Sequence, residues 1–427
     1  MSDTPVDLPA WIGRGPDGQL AADGVAFGQI AERFGTPTWV YSRAAIERTW
    51  RAFERAVEGR DVQICYAMKA NSTLGIVDLF ARLGADFDIV SEGELERVLA
   101  LGASADRVIF SGVGKSAHEI RRALEVGVHC FNVESESELA RLDRIAGSLG
   151  KRAPISLRVN PDVDAATHPY ISTGLKENKF GIAHEKAVPV YQAAARMANL
   201  EIVGIDCHIG SQITTIAPFL AALDKLLTLV DELRSHGIEL KHLDLGGGLG
   251  IRYADETPPT PAELMSAIFA RIDAWRPGQA PKLMFEFGRA LVGEAGILLT
   301  RVEYLKENHG KRFAVVDAAM TELLRPALYQ AWHGVAPVTA RDGTARRYDI
   351  VGPVCESGDW LAKDRTLVIE EGDLLLLLSA GAYGAVMTSN YNTRPRAAEI
   401  LVADGVCHVI RPRETFAAMF AQERLAT

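Results

Sequence analysis

Gln63-Ile64-Cys65-Tyr66-Ala67-Met68-Lys69-Ala70-Asn71 is a short apolar run that delivers one lysine to its end. An unbroken Ile-Cys-Tyr-Ala-Met stretch leaves no wet face, so it predicts a strand covered on both sides, as in parallel α/β sheets. Lys69 closes that strand, where it loses part of its hydration and its amine becomes available for Schiff-base chemistry. In isolation, a lysine at a strand end is more often one that simply reaches water. Its meaning depends on what else converges there.

Similar runs recur outward from this one: Phe87 to Val90, Val108 to Phe110, Cys130 to Val133, Ile155 to Val159, Ile202 to Cys207, His242 to Leu245 and Leu283 to Phe287. Between them lie helical patterns, at Leu74 to Leu83, Glu92 to Leu101, Ala117 to Glu125, Glu136 to Leu149, Val188 to Ala198, Ala217 to His236 and Ala262 to Ala274, several opened by a Ser or Glu suited to an N-cap. About eight βα units in series predict an α/β fold, a TIM-type (β/α)8 barrel over 43–285, with an open doubly wound sheet as the alternative. Residues 1–42 carry a possible strand, Thr38 to Tyr41, and an amphipathic helix follows from Arg43 to Glu58. Beyond Arg289, strand-like runs follow one another without long helices: Ile297 to Leu305, Phe313 to Val316, Tyr348 to Val351, Thr366 to Ile369, Leu374 to Leu378, Glu399 to Val402 and Val406 to Ile410. They predict a C-terminal antiparallel β-barrel or sandwich domain over 286–427, joined by the strand of the 1–42 segment.

The 427 residues are 48% hydrophobic and carry a net charge of −9, which argues against nucleic-acid or anionic-membrane partners and for a small molecule. Met1 to Ala10 has no basic region and no apolar core, so a secretory signal is not expected and a cytoplasmic protein is. The long uncharged run Leu374 to Thr393 is interrupted by Ser379, Gly381, Asn390 and Asn392 and reads as a strand and loop, not a membrane span. Cys65, Cys130, Cys207, Cys355 and Cys407 are scattered and fit reduced thiols.

In a barrel of this type, the strand ends and the loops after them form the functional face. There the chain places Lys69-Ala-Asn71, His208-Ile-Gly-Ser211-Gln212, Gly246-Gly-Gly248-Leu-Gly250 and Glu286-Phe287-Gly288-Arg289. The glycine run lacks the Gly-x-Gly-x-x-Gly spacing of a dinucleotide site, but its bare backbone suits a single phosphate. Gly114-Lys115-Ser116 imitates the end of a phosphate-binding P-loop, yet Ile109 stands where the first glycine is needed. Asn71-Ser72-Thr73 matches the glycosylation pattern only by chance. An imine-forming lysine, a phosphate cradle, a histidine to lie on a ring and a carboxylate together describe a pyridoxal 5'-phosphate (PLP) site.

Tyr66-Ala-Met-Lys69-Ala-Asn71, His208-Ile-Gly-Ser211-Gln, Asp244-Leu-Gly-Gly-Gly248-Leu-Gly, Arg325-Pro-Ala-Leu-Tyr329, Cys355-Glu356-Ser-Gly-Asp359 and Gly381-Ala-Tyr383-Gly resemble, in order and across nearly the whole chain, the barrel-type PLP decarboxylases. Within them, Cys355 to Asp359 and the segment His168 to Gly181 resemble the diaminopimelate decarboxylase branch. The resemblance implies that Lys69 holds PLP covalently, Glu286 faces the pyridine nitrogen, His208 stacks on the ring, and Ser211, Gly248, Phe287, Gly288 and Arg289 surround the phosphate. Tyr383 would approach cofactor and substrate from the β domain, and Cys355 would return a proton after CO2 departs. It further implies that Arg289, Arg325 and Tyr329 take the substrate's distal carboxylate and Glu356 its distal ammonium. A homodimer with shared active sites is implied as well.

One position departs from the family, which usually has Pro where this chain has Phe287; the loop carrying Glu286 and Arg289 is expected to be less rigid for it. Three other readings compete. A related PLP decarboxylase would act on another amino acid, a racemase would need a tyrosine base where Cys355 stands, and a non-catalytic homologue would be expected to have lost Lys69 or Cys355.

Overall fold

The computed structural model describes residues 7–15, 18–164, 174 and 178–426. Most of the segment from His168 to Gly181 lies outside the described residues. The chain divides into two units, one of residues 49–251 and 257–290, the other of 1–48, 252–256 and 291–427.

The first unit is a closed eight-stranded parallel barrel. Its strands are Val62–Ala67, Asp86–Ile89, Val108–Phe110, Cys130–Val133, Ala153–Asn160, Leu200–Asp206, His242–Asp244 and Lys282–Phe287. Each pairs in parallel with the next, and Lys282–Phe287 pairs with Val62–Ala67 through Phe287 opposite Tyr66, which closes the ring. Every run expected to form a barrel strand does so, and the alternative of an open sheet is set aside. The barrel forms because Cys65, Ile109, Cys130, Val203 and Met284 make a buried apolar cluster.

Four of the barrel helices, Glu92–Ala100, Ala117–Val126, Glu136–Ser148 and Pro261–Trp275, begin where a side chain satisfies an open N–H group. Ser91 and Ser135 accept from Glu94 and Glu138 N–H. Ser116 with Glu119, and Thr260 with Glu263, form reciprocal capping boxes. These caps fix where the loops before those four helices stop, and Thr260 does so for the segment that follows the glycine run.

The second unit is a β domain built around the 13-residue strand Gly296–Asn308. That strand pairs antiparallel with Lys311–Val316, Leu374–Leu377 and Thr38–Ser42. The sheet is not wholly antiparallel, which corrects the sequence expectation. Thr38–Ser42 runs parallel to Ala398–Ala403, and Lys311–Val316 parallel to Arg346–Val351. Both exceptions join strands far apart in sequence, where no hairpin dictates direction. Three short strands, Ile12–Arg14, Leu20–Ala22 and Val25–Ala26, form a separate small sheet that sequence patterning did not indicate.

Candidate active site

Lys69 lies on a single turn, Met68–Ala70, immediately after the first barrel strand. The turn is pinned from both sides: Tyr66 donates its hydroxyl to the Asn71 carbonyl at 2.7 Å, and Asn71 Oδ1 accepts from Thr73 N–H at 3.1 Å. Asn71 is buried, consistent with its glycosylation pattern being fortuitous. The Lys69 amine forms an ion pair with Asp88, a fully buried carboxylate on the second strand.

Glu286 stands on the eighth strand, the neighbour of the first, opposite Cys65. Its Oε1 accepts from Asn132 Nδ2 at 3.0 Å and Ser111 Oγ at 3.3 Å. Burial, with Asp88, Asp244 and Asp206 adding to it, pushes the Glu286 carboxyl well above the usual range. Asp206, Asp244 and Glu286 bring their carboxyl oxygens within 4.8 Å of one another. Arg158 serves this side of the lumen, 3.0 Å from Glu134 and 3.9 Å from Asp206.

His208 follows the sixth strand, and its Nδ1 accepts from Gly247 N–H at 3.2 Å. Burial, Arg158 and Lys69 hold the imidazole well below its ordinary pKa, so it is neutral and its proton sits on Nε2. The loops after the sixth and seventh strands are laced together. Ile213 N–H donates to the Gly248 carbonyl at 2.9 Å, and the Gln212 amide exchanges two bonds with Ile251 at 2.6 and 3.1 Å. Gly247 passes so close to the eighth strand that a Cβ would lie 2.1 Å from the Glu286 carbonyl oxygen, and Gly248 holds φ +103°. Beside this bare backbone, buried Arg289 donates to Ser211 Oγ at 3.1 Å. Lys69, His208, Ser211, Gly248, Glu286, Gly288 and Arg289 thus all lie at one end of the barrel.

Phe287 carries its side chain outside the lumen. It is the last residue of the eighth strand, and alternation turns its side chain away from the lumen that Glu286 faces, so it stacks on Phe53 and Phe285 at 4.5 and 5.4 Å. The ring is fully buried in that layer, so it does not line the pocket, and the packing anchors the segment where loss of proline suggested looseness. Lys115 of the P-loop mimic is buried at 2.8 Å from Glu138 and bonds two backbone carbonyls, a structural role.

The remaining sequence-predicted residues belong to the β unit. Arg325 is buried, donates to His333 Nε2 at 2.9 Å, and lies 4.6 Å above the Tyr253 ring. His333 is fixed in turn by donating from Nδ1 to the Leu378 carbonyl at 2.8 Å. Tyr329 is half-buried on the same short helix, Arg325–Tyr329. Cys355 and Glu356 are exposed in the turn between Arg346–Val351 and Trp360–Leu367. Asp359 ties that turn down, accepting from Val354 N–H at 2.7 Å and Met320 N–H at 2.6 Å. The nearby Glu356 carboxylate raises the Tyr391 pKa. Tyr383 sits at φ +54°, a conformation that side chains rarely adopt and that marks a constrained loop.

A family model described as the pyridoxal binding domain of pyridoxal-dependent decarboxylases matches residues 43–293. Diaminopimelate decarboxylase of Pseudomonas fluorescens is 62% identical over 96% of this chain and 97% of its own. Among solved structures, diaminopimelate decarboxylase of Helicobacter pylori complexed with L-lysine matches with TM-score 0.89 and 41% identity, covering 93% of this chain and 99% of that one. The enzyme of M. jannaschii in co-complex with L-lysine gives TM-score 0.93 at 36% identity, covering 98% of each. The chain belongs to the diaminopimelate decarboxylase family.

The family's cofactor is PLP, and the barrel fits it. A phosphate suits the Gly246–Gly250 backbone beside Ser211 and Arg289, an aldehyde suits the Lys69 amine, and a protonated ring nitrogen suits Glu286. Asp88 Oδ1 is buried without a hydrogen-bond partner among the described residues, the mark of a lumen shaped to hold something polar. Sequence reasoning missed Asp88, Ser111, Asn132 and Arg158. The available signal was a polar residue inside a barrel strand, as at Asn132 in Cys130–Val133 and at Asp88, flanked by Phe87 and Ile89, in Asp86–Ile89.

Proposed function

We propose that the protein decarboxylates meso-2,6-diaminopimelate to L-lysine and CO2, the last step of lysine biosynthesis. The observation that carries this reading is the 62% identity over 96% of the chain to a diaminopimelate decarboxylase, in a barrel whose Lys69 and Glu286 share one lumen. When bound, PLP supplies an electron sink for the carbanion left by the departing carboxylate. Lys69 anchors the cofactor and Asp88 orients the amine. Glu286, held by Asn132 and Ser111, orients toward the ring nitrogen, and neutral His208 offers a flat face for the ring without competing for charge. Ser211, Arg289 and the glycine loop bind the phosphate.

Because the substrate loses a carboxylate, no base is needed at its α-carbon; an acid is needed afterwards, and Cys355 is assigned that proton transfer. The exposure of Cys355 supports this, since a structural thiol would be buried. Arg325 with Tyr329, and Arg289, are assigned to the distal carboxylate, Glu356 to the distal ammonium, and Tyr383 to both ligands. The active unit is a homodimer in which Cys355 and Glu356 of one chain complete the site around Lys69 of the other. We place it in the cytoplasm; among the described residues, no helix is long and apolar enough to cross a membrane. The test is a product assay with meso-diaminopimelate that follows lysine and CO2. Turnover of ornithine, arginine or lysine in its place would overturn the substrate assignment.

A further inference from the structure

Among the described residues, the C-terminal ends of the barrel strands hold more carboxyl groups than the cations beside them can serve. Asp244, Glu286 and Asp206 each bring a carboxyl oxygen within 4.8 Å of the others. All three are buried, at 0%, 5% and 1% exposure respectively. The charged groups acting on them are Asp88, Glu134, Lys69 and Arg158. Lys69 is taken by Asp88, and Arg158 by Glu134. Of the two oxygens of Asp244, Oδ1 accepts from Gly246 N–H at 2.9 Å, but Oδ2 is buried with no donor among the described residues, and so is Oδ1 of Asp206. Carboxylates cannot donate to one another, so two of them side by side in a dry lumen repel unless a proton lies between them.

We propose that Asp244 is a positioning residue that shares one proton with Glu286, so that the pair presents one negative charge instead of two. This rests on the reading of Glu286 as the partner of the ring nitrogen. With Ser111 and Asn132 fixing Oε1 of Glu286, the shared proton fixes the rest of the carboxyl and keeps it from swinging away from its neighbour. A ring nitrogen seated there meets an oriented carboxyl pair, and Asp244 at the same time anchors the phosphate-binding loop through Gly246. One residue thereby ties the two ends of the cofactor's bed together.

Burial is the main reason that the Asp244 carboxyl is pushed up to about 7, and Asp88 adds to it. A carboxyl raised in the folded state binds its proton more tightly there than in the unfolded chain. Its contribution to stability therefore falls as pH rises from about 4, and the whole penalty is present above about 7. Asp244→Asn keeps the acceptor for Gly246 N–H and imitates the protonated acid at every pH.

The first measurement is the infrared C=O stretch of protonated carboxyl groups, in the full chain stripped of cofactor. Wild type should show a buried carboxyl band at pH 6 that fades by pH 8, and Asp244→Asn should lose it. Absence of the band in wild type would overturn the proposal without any variant having to fold. A band that persists in Asp244→Asn would assign the proton to Asp206 and also overturn it, as would a chelator-sensitive spectrum that reveals a bridging cation. The second measurement is the melting temperature, where Asp244→Asn should gain on wild type as pH rises from 5 to 8. A gap that stays flat with pH leaves only a structural role. The near-visible absorption of the loaded enzyme should change with pH in step with the band in wild type and lose that step in the variant. None of these depends on which amino acid is turned over, so a failed product assay would leave the inference standing.

Discussion

In the barrel unit, Lys69, Asp88, Asp206, Asp244 and Glu286 crowd one lumen, where each charge alters the next. In the β unit, Cys355 and Glu356 stand exposed on a turn whose shape is set by a third residue, Asp359. The difference separates two kinds of dependence. A buried network ties cofactor binding to chemistry, because removing one member leaves another uncompensated. An exposed turn lets chemistry be removed while the cofactor stays.

The largest expected effect breaks the barrel side. Lys69→Ala should abolish the near-visible absorption of the holoenzyme and its fixation by borohydride, and lower turnover by several orders of magnitude; it also leaves buried Asp88 without its cation. A variant that decarboxylates at the wild-type rate would remove the central assignment. On the other side of the comparison, Cys355→Ala should lower kcat by about 10²–10⁴-fold, the range of a lost general acid, while the absorption spectrum stays that of wild type. Loss of the spectrum together with the rate would mean that the turn is coupled to the cofactor after all.

Arg325 is an intermediate case, a β-unit residue that is itself buried, between His333 and the Tyr253 ring. Truncating one partner of a desolvated charge pair costs roughly 2–5 kcal/mol, so Arg325→Ala should reduce kcat/KM at least about tenfold. Cofactor affinity should hardly move. An unchanged kcat/KM would show that the guanidinium does not meet the substrate carboxylate and has a structural role between His333 and Tyr253.

How far the sequence discloses these regions follows the same division. Barrel strands are legible because they are apolar on both faces, and the rule that loops after strands carry function then gathers Lys69, His208, the glycine loop and Glu286. The lumen residues Asp88, Asn132 and Arg158 are not legible in the same way, since a polar residue in a strand can point inward or outward until the register is known. Phe287 shows the converse: its place beside Glu286 suggested a pocket residue, whereas alternation sends it to the helix layer against Phe53. In the β unit, strand positions follow from pattern, but the two parallel pairings do not, because strand direction there is set by contacts distant in sequence. Cys355, Glu356, Arg325 and Tyr329 carry no distinguishing pattern of their own and were singled out only through the family resemblance.

The smallest expected effect tests whether the two kinds of residue come from different chains. If Cys355 and Glu356 complete a partner's barrel, then a dimer of one Lys69→Ala chain and one Cys355→Ala chain contains one site with both defects and one with neither. The two variants are each nearly inactive alone. Dissociated, mixed in equal amounts and reassociated at random, half of the chains enter mixed dimers, each with one intact site of two, so roughly a quarter of wild-type activity should return. The spectrum supplies an internal control, because only chains that retain Lys69 absorb in the near-visible, and that fraction is fixed by the mixing ratio whichever way the sites are built. Subunit exchange is confirmed independently by tagging one variant and recovering the other with it. Exchange without any recovery of activity would place Lys69 and Cys355 of each working site on one chain and overturn the shared-site dimer, while leaving both residues in their chemical roles.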